Sequence, residues 1–118
     1  MTLADLKSAL SSISGFDKKV AYRAFPVGAA PELPFICYLD TSTDNFIADN
    51  EVYAVIYGID VELYTQYKDQ KSEALIEACL NDLGIVWQKS DEYIDDQSMY
   101  EVIYSFNIQQ IYQPTTTT

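Results

Sequence analysis

Histidine is absent from the chain, and lysine and arginine together number seven against eighteen aspartates and glutamates. Without an imidazole, the side chain that ordinarily titrates near neutrality is missing, and with it the commonest general acid or base and the commonest metal ligand. The formal charge of −11 speaks equally against a surface built to neutralise nucleic-acid phosphates. Cysteine is scarce as well. Cys37 and Cys79 allow at most one disulfide and fall short of a four-ligand metal site, so two small core residues in a reducing compartment are expected. No Gly-rich loop leads into Lys and Ser or Thr, and neither cysteine has a histidine partner, so the familiar hydrolase and nucleotide-binding signatures fail. Long hydrophobic runs are missing too. The opening MTLADLKSALSSISGF carries charges inside its apolar pattern, and no later run approaches membrane-spanning length. These absences predict a soluble cytoplasmic protein that is not an enzyme, with no catalytic residue, no cofactor, no metal and no membrane partner.

What is present is apolar and aromatic. A chain of 118 residues, 48% of them hydrophobic, suffices for one compact domain. That domain is expected over 1–112, with the low-complexity QPTTTT ending leaving 113–118 as a frayed tail. Ten tyrosines, five phenylalanines and one tryptophan supply rings that pack a small core or an interface.

Leu3, Leu6, Leu10 and Ile13 recur at helical spacing behind a Thr2–Asp5 capping pair, which predicts a helix over 3–14 stopped by Gly15. Alternation predicts a short strand over 20–25, then a Pro- and Gly-broken stretch, then a strand from Phe35 to about Leu39. DTSTDNFIADN, residues 40–50, reads as a structured loop or extended hairpin tip with Phe46 and Ile47 as contact candidates. EVYAVIYGIDVELYT, residues 51–65, interleaves two faces, of which Tyr53, Val55, Tyr57, Ile59, Val61 and Leu63 form the more buried one. Gly58 marks a bend or bulge. Leu75, Ile76, Cys79, Leu80 and Leu83 predict a second helix after Asp69 with Gly84 as its exit. A strand beginning at Ile85, Val86 and Trp87 and a last strand alternating Tyr100, Val102, Tyr104, Phe106 and Ile108 follow, with SDEYIDDQ as the link between them. Tyr100, Tyr104 and Phe106 are expected to pack the sheet. The expected fold class is therefore α+β, a mostly antiparallel or mixed sheet of about five strands flanked by two helices in the order α-β-β-β-α-β-β.

Charge is unevenly placed. Arg23 is the sole basic residue between Lys19 and Lys68, a stretch that holds seven acidic residues, so it is a candidate anchor for a carboxylate of this chain or of a neighbour. Nothing basic follows Lys89, whereas Asp91, Glu92, Asp95, Asp96 and Glu101 do. Asp40, Asp44, Asp49 and Glu51 form a second acidic group. Either group offers oxygen ligands to a hard cation, but a solvated acidic face is the expected role. Such a face repels DNA phosphates, a useful property for a wall beside which DNA slides.

The phrases ELYTQYKDQKSEALIEACLNDLGI (62–85) and WQKSDEYIDDQSMYEVIYSFNI (87–108), with PFICYLD (34–40) near the front, resemble the tail-completion or tail-terminator proteins of long-tailed bacteriophages, of the type carried by phages and prophages of Gram-positive hosts. The resemblance covers roughly residues 1–112 and rests on element order and on ELYT, YKD and MYEVIYSF. It implies a structural virion protein that self-associates into a ring, commonly a hexamer, at the head-proximal end of the tail. The ring would end the tail tube and meet the head-tail connector, with DNA passing through but not specifically bound. It also implies assembly in the host cytoplasm and a final place in the virion tail. On this reading Arg23, Phe46 and Ile47 are candidate inter-subunit contacts, and Asp91, Glu92, Asp95 and Asp96 candidates for an acidic lumen or rim. A head-closure or tail-tube subunit is the alternative within phage structure, and an unrelated soluble binding module the alternative outside it.

Overall fold

In the computed structural model the described residues are 1–48 and 51–111, with the side chains of 44–54 and 110–111 outside the description. The chain runs α1 (Leu3–Ser11), β1 (Val20–Tyr22), β2 (Phe35–Ala48), β3 (Glu51–Thr65), α2 (Gln70–Asp82), β4 (Gln88–Ile94), a 3-10 turn (Asp95–Gln97) and β5 (Met99–Ile111). This is the α+β class and the element order expected from the sequence. The five strands form one mixed sheet in the order β1-β2-β3-β5-β4, antiparallel throughout except for the parallel β1–β2 pair.

Both helices begin where local chemistry starts them. The Thr2 side chain accepts from the Asp5 N–H while Asp5 accepts from the Thr2 N–H, a reciprocal cap that satisfies two otherwise orphaned donors. Asp69 caps α2 from one side only, accepting from the Ser72 N–H at 3.1 Å and the Ser72 hydroxyl at 2.9 Å. Leu6 and Leu10 of α1 and Ile76 and Leu80 of α2 are fully buried against Ile36, Ile59, Val61, Leu63, Val102 and Tyr104. The alternation expected for 51–65 is observed from Ile59 on, where Ile59, Val61 and Leu63 are buried, and Tyr57 packs against the same cluster, whereas Val55 and Ile56, from opposite faces, are equally half-buried. Tyr104, Phe106 and Tyr100 pack the same sheet face.

Several boundaries differ from expectation. The first helix ends at Ser11 rather than at residue 14, and Gly15 lies beyond it at φ 91°. The strand predicted to reach residue 25 stops at Tyr22, because Arg23 takes a left-handed φ of 66° that breaks extended pairing. The strand predicted to end near Leu39 continues to Ala48, so 40–48 is strand. Pairing with β3 carries the backbone ladder through this polar segment, and a ladder does not require apolar alternation. The stretch 85–87 is not strand: the Ile85 N–H bonds back to the Leu80 carbonyl and Trp87 folds over Tyr104. The strand is instead Gln88–Ile94, which takes in most of the segment expected as a link. An edge strand exposed along its length needs backbone partners from β5, not an apolar face.

Gly58 lies opposite a bulge. Asp40 pairs with Ile59 and Ser42 with Gly58, leaving Thr41 as the extra residue. A Cβ at Gly58 would meet the Ser42 Oγ at 2.5 Å and the Thr41 Oγ1 at 2.8 Å, so the bulge needs a residue without one. The tail expected over 113–118 lies outside the described residues.

Candidate assembly surface

Arg23 closes β1 and turns its guanidinium back along the sheet. Nη2 donates to the Asp40 carboxylate at 3.0 Å and to the Asp40 carbonyl at 3.3 Å, and the guanidinium carbon stands 5.2 Å from the Tyr22 ring centre. The Tyr22 hydroxyl also donates to Asp40. That bond first, with the backbone and Arg23 adding to it, holds the Asp40 carboxyl below its ordinary pKa. Arg23 thus has an intrachain carboxylate partner, while its side chain stays 55% exposed. Phe46 and Ile47 lie in the backbone ladder of β2, paired with Ala54 and Val52. Their side chains, and with them their expected contact role, fall outside the described residues.

The four carboxylates expected to act together are separated by the fold. Successive strand residues point to opposite faces, so Asp91 lies on the helix side and bonds the Lys68 ammonium at 3.1 Å. Glu92 takes the other face, directly opposite Glu101 on β5. Asp95 and Asp96 sit in the 3-10 turn that reverses the chain. All four are exposed. Among the described residues no group of three or more acidic or sulfur side chains is arranged to hold a metal ion.

Two clusters emerge that sequence reading did not single out. Between α2 and the β4–β5 pair, Lys68 and Lys89 both donate to the Glu73 Oε1 at 3.1 Å, and Lys89 also reaches the Glu77 Oε2 at 2.8 Å. The Tyr104 hydroxyl donates to the same Glu77 oxygen at 2.7 Å. Burial raises the Glu77 pKa, but the bonds from Lys89 and Tyr104 outweigh it and leave the carboxyl below its ordinary range. Glu73 is almost fully buried and its Oε2 has no hydrogen-bond partner among the described residues. This network clamps the edge strand β4 to the helix. The Glu73–Glu77 spacing of four residues is a legible signal that both lie on one helix face, but nothing in the sequence says that Lys68 and Lys89 meet there.

The second cluster lies on the sheet face opposite the two helices. Cys37 pairs across with Glu62, and Phe35 with Tyr64, which in turn faces Glu101. The Tyr64 hydroxyl donates to Glu62 at 3.2 Å. Burial, then the charges of Glu62 and Glu101, push the Cys37 thiol up to about 11, so it is a poor nucleophile at neutral pH. Cys37 and Cys79 are both free thiols. Cys37 lies across the sheet from the helix-covered core, and Cys79 packs from α2 at the edge of that core.

The sheet outruns its helices. Among the described side chains of β5 the last buried one is Ile108, paired with the half-buried Tyr57 of β3. A gap of about 160 Å³ between Met1, Thr2 and Leu3 and the residues Tyr57, Ile59 and Ile108 marks where the helical layer ends. Beyond it the ladder continues over 43–48 of β2, 51–56 of β3 and 109–111 of β5. The result is a long molecule, 56 × 29 × 24 Å, with a radius of gyration of 16.4 Å where about 13.5 Å is usual for this length. No protein-family model matches the chain, and no curated protein matches it either.

Proposed function

We propose that this protein is a structural component of a long-tailed bacteriophage that ends the tail tube and forms the tail side of the joint to the head connector. The observation that carries this reading is the three-stranded arm projecting past the helices. Ordering backbone costs about 1–2 kcal/mol per residue, and burial is what normally offsets it. In a ring of copies seated on a tube, neighbouring subunits would add to that compensation for some fifteen residues whose ladder runs past the helical layer. The strong negative charge suits a channel wall that DNA slides past without adhering. The resemblance in ELYT, YKD and MYEVIYSF supplies the specific assignment, and the fold agrees with the element order that resemblance implies.

The test is position and copy number. Immunogold or tag-labelled electron microscopy of assembled tails is expected to place label only at the head-proximal end, with mass analysis consistent with one ring. Label along the whole tube, or none on purified tails and virions, would overturn the proposal.

A further inference from the structure

The two edges of the sheet are unlike. β4 pairs with β5 over seven consecutive residues without a register shift, contains no proline, and is exposed from Gln88 to Tyr93. A regular edge strand of that length offers a row of outward N–H and C=O groups to another chain. β1, at the opposite edge, spans three residues and is bounded by left-handed Lys18 and Arg23.

Charge separates the edges further. Lys89 and Asp91 of β4 are held in the network with Lys68, Glu73 and Glu77. Glu92, Asp95 and Asp96 are exposed and have no ion-pair partner among the described residues. On the β1 side, Lys18 and Lys19 at the strand entrance and Lys7 on the adjoining helix are likewise without ion-pair partners among the described residues, with Asp17 next to Lys18 in the chain and Asp5 of the helix engaged in its cap. One edge of the protomer therefore carries unspent acids and the other unspent lysines. Pairing β4 with β4 of a second copy would crowd carboxylates together; pairing β4 with β1 joins opposite charges. A contact between unlike patches is head-to-tail, and it closes into a ring when the rotation between copies permits.

We infer that the β4 edge of one copy docks on the β1 edge of a second copy, with Glu92, Asp95 and Asp96 facing Lys18 and Lys19. The inference rests on the assembly reading above and names the subunit contact it would use. Charge exchange tests it on the full chain by sedimentation velocity at low ionic strength. The wild type is expected to associate as concentration rises. The acidic-edge variant (Glu92→Lys, Asp95→Lys, Asp96→Lys) and the basic-edge variant (Lys18→Glu, Lys19→Glu) are each expected to associate at least about tenfold more weakly, while an equimolar mixture of the two regains assembly because every contact again joins opposite charges. Circular dichroism verifies that both variants fold. A wild type that stays monomeric throughout, a single variant that assembles like wild type, or a folded mixture that stays monomeric would each overturn the edge contact. Label at the head-proximal end of tails together with any of those results would sink the contact alone, whereas wild-type assembly with mixture rescue but no label on tails would sink the tail reading alone.

Discussion

Glu62 and Glu101 lie diagonally across β3 and β5 on the sheet face opposite the helices, and neither has a basic neighbour in an ion pair among the described residues. Burial first, and then the charge of Glu101, raise the Glu62 pKa, with the Tyr64 hydroxyl opposing them. A carboxyl whose folded pKa lies above its unfolded value of about 4.3 contributes stability in full below that value and loses it as pH rises through the folded pKa. At neutral pH the charged Glu62 is therefore a burden. Glu62→Gln keeps an acceptor for Tyr64 and removes the repulsion, so it is expected to stabilise the fold at pH 7 by about 0.5 kcal/mol, the scale of a cross-strand charge pair. The gain should vanish near pH 4. Urea midpoints at the two pH values check this, and a variant less stable than wild type at pH 7 would show the carboxylate to be a stabilising partner instead.

Among the elements, the helices and the central strands were legible because their signals are local. Thr2 with Asp5 announces one helix, Asp69 the other, and the spacing of Leu6, Leu10, Ile76 and Leu80 sets the buried stripes. β4 was misplaced by three residues at its start because no apolar alternation marks an exposed edge, and β2 was cut short because backbone pairing carries a polar segment into the ladder. The cap of α2 bears on more than the helix. By fixing the first turn it aims Glu73 and Glu77 at Lys68 and Lys89, and so holds β4. Asp69→Ala is expected to cost about 1 kcal/mol in urea denaturation and to speed amide exchange in β4 more than in β2 or β3. Uniform acceleration across the sheet would mean that the clamp is not what secures the edge.

At the scale of the whole molecule, a charge of −11 on 118 residues opposes compaction, and that self-repulsion is screened by salt. Raising ionic strength from about 0.01 M to about 0.15 M shortens the screening length from about 30 Å to about 8 Å. The melting temperature of dilute protein is expected to rise by a few degrees over that range, by calorimetry at a concentration where the chain is monomeric. Association through the edges should weaken over the same range, because there the charges attract. The separation of candidate residues belongs to this scale too. Asp91 and Glu92 are neighbours in sequence and strangers in space, since a strand sends successive side chains to opposite faces, whereas Lys68 and Lys89 come together only because α2 and β4 pack side by side. Composition and local periodicity by themselves determined the α+β class, the helix starts, the buried faces of β3 and β5 and the acid-rich character, because each depends on residues a few positions apart. The strand order, the bulge opposite Gly58, the clamp on β4, the arm beyond the helices and the unlike charges at the two edges were decided only by the tertiary structure, because each depends on backbone pairing between segments that nothing in their own sequences brings together.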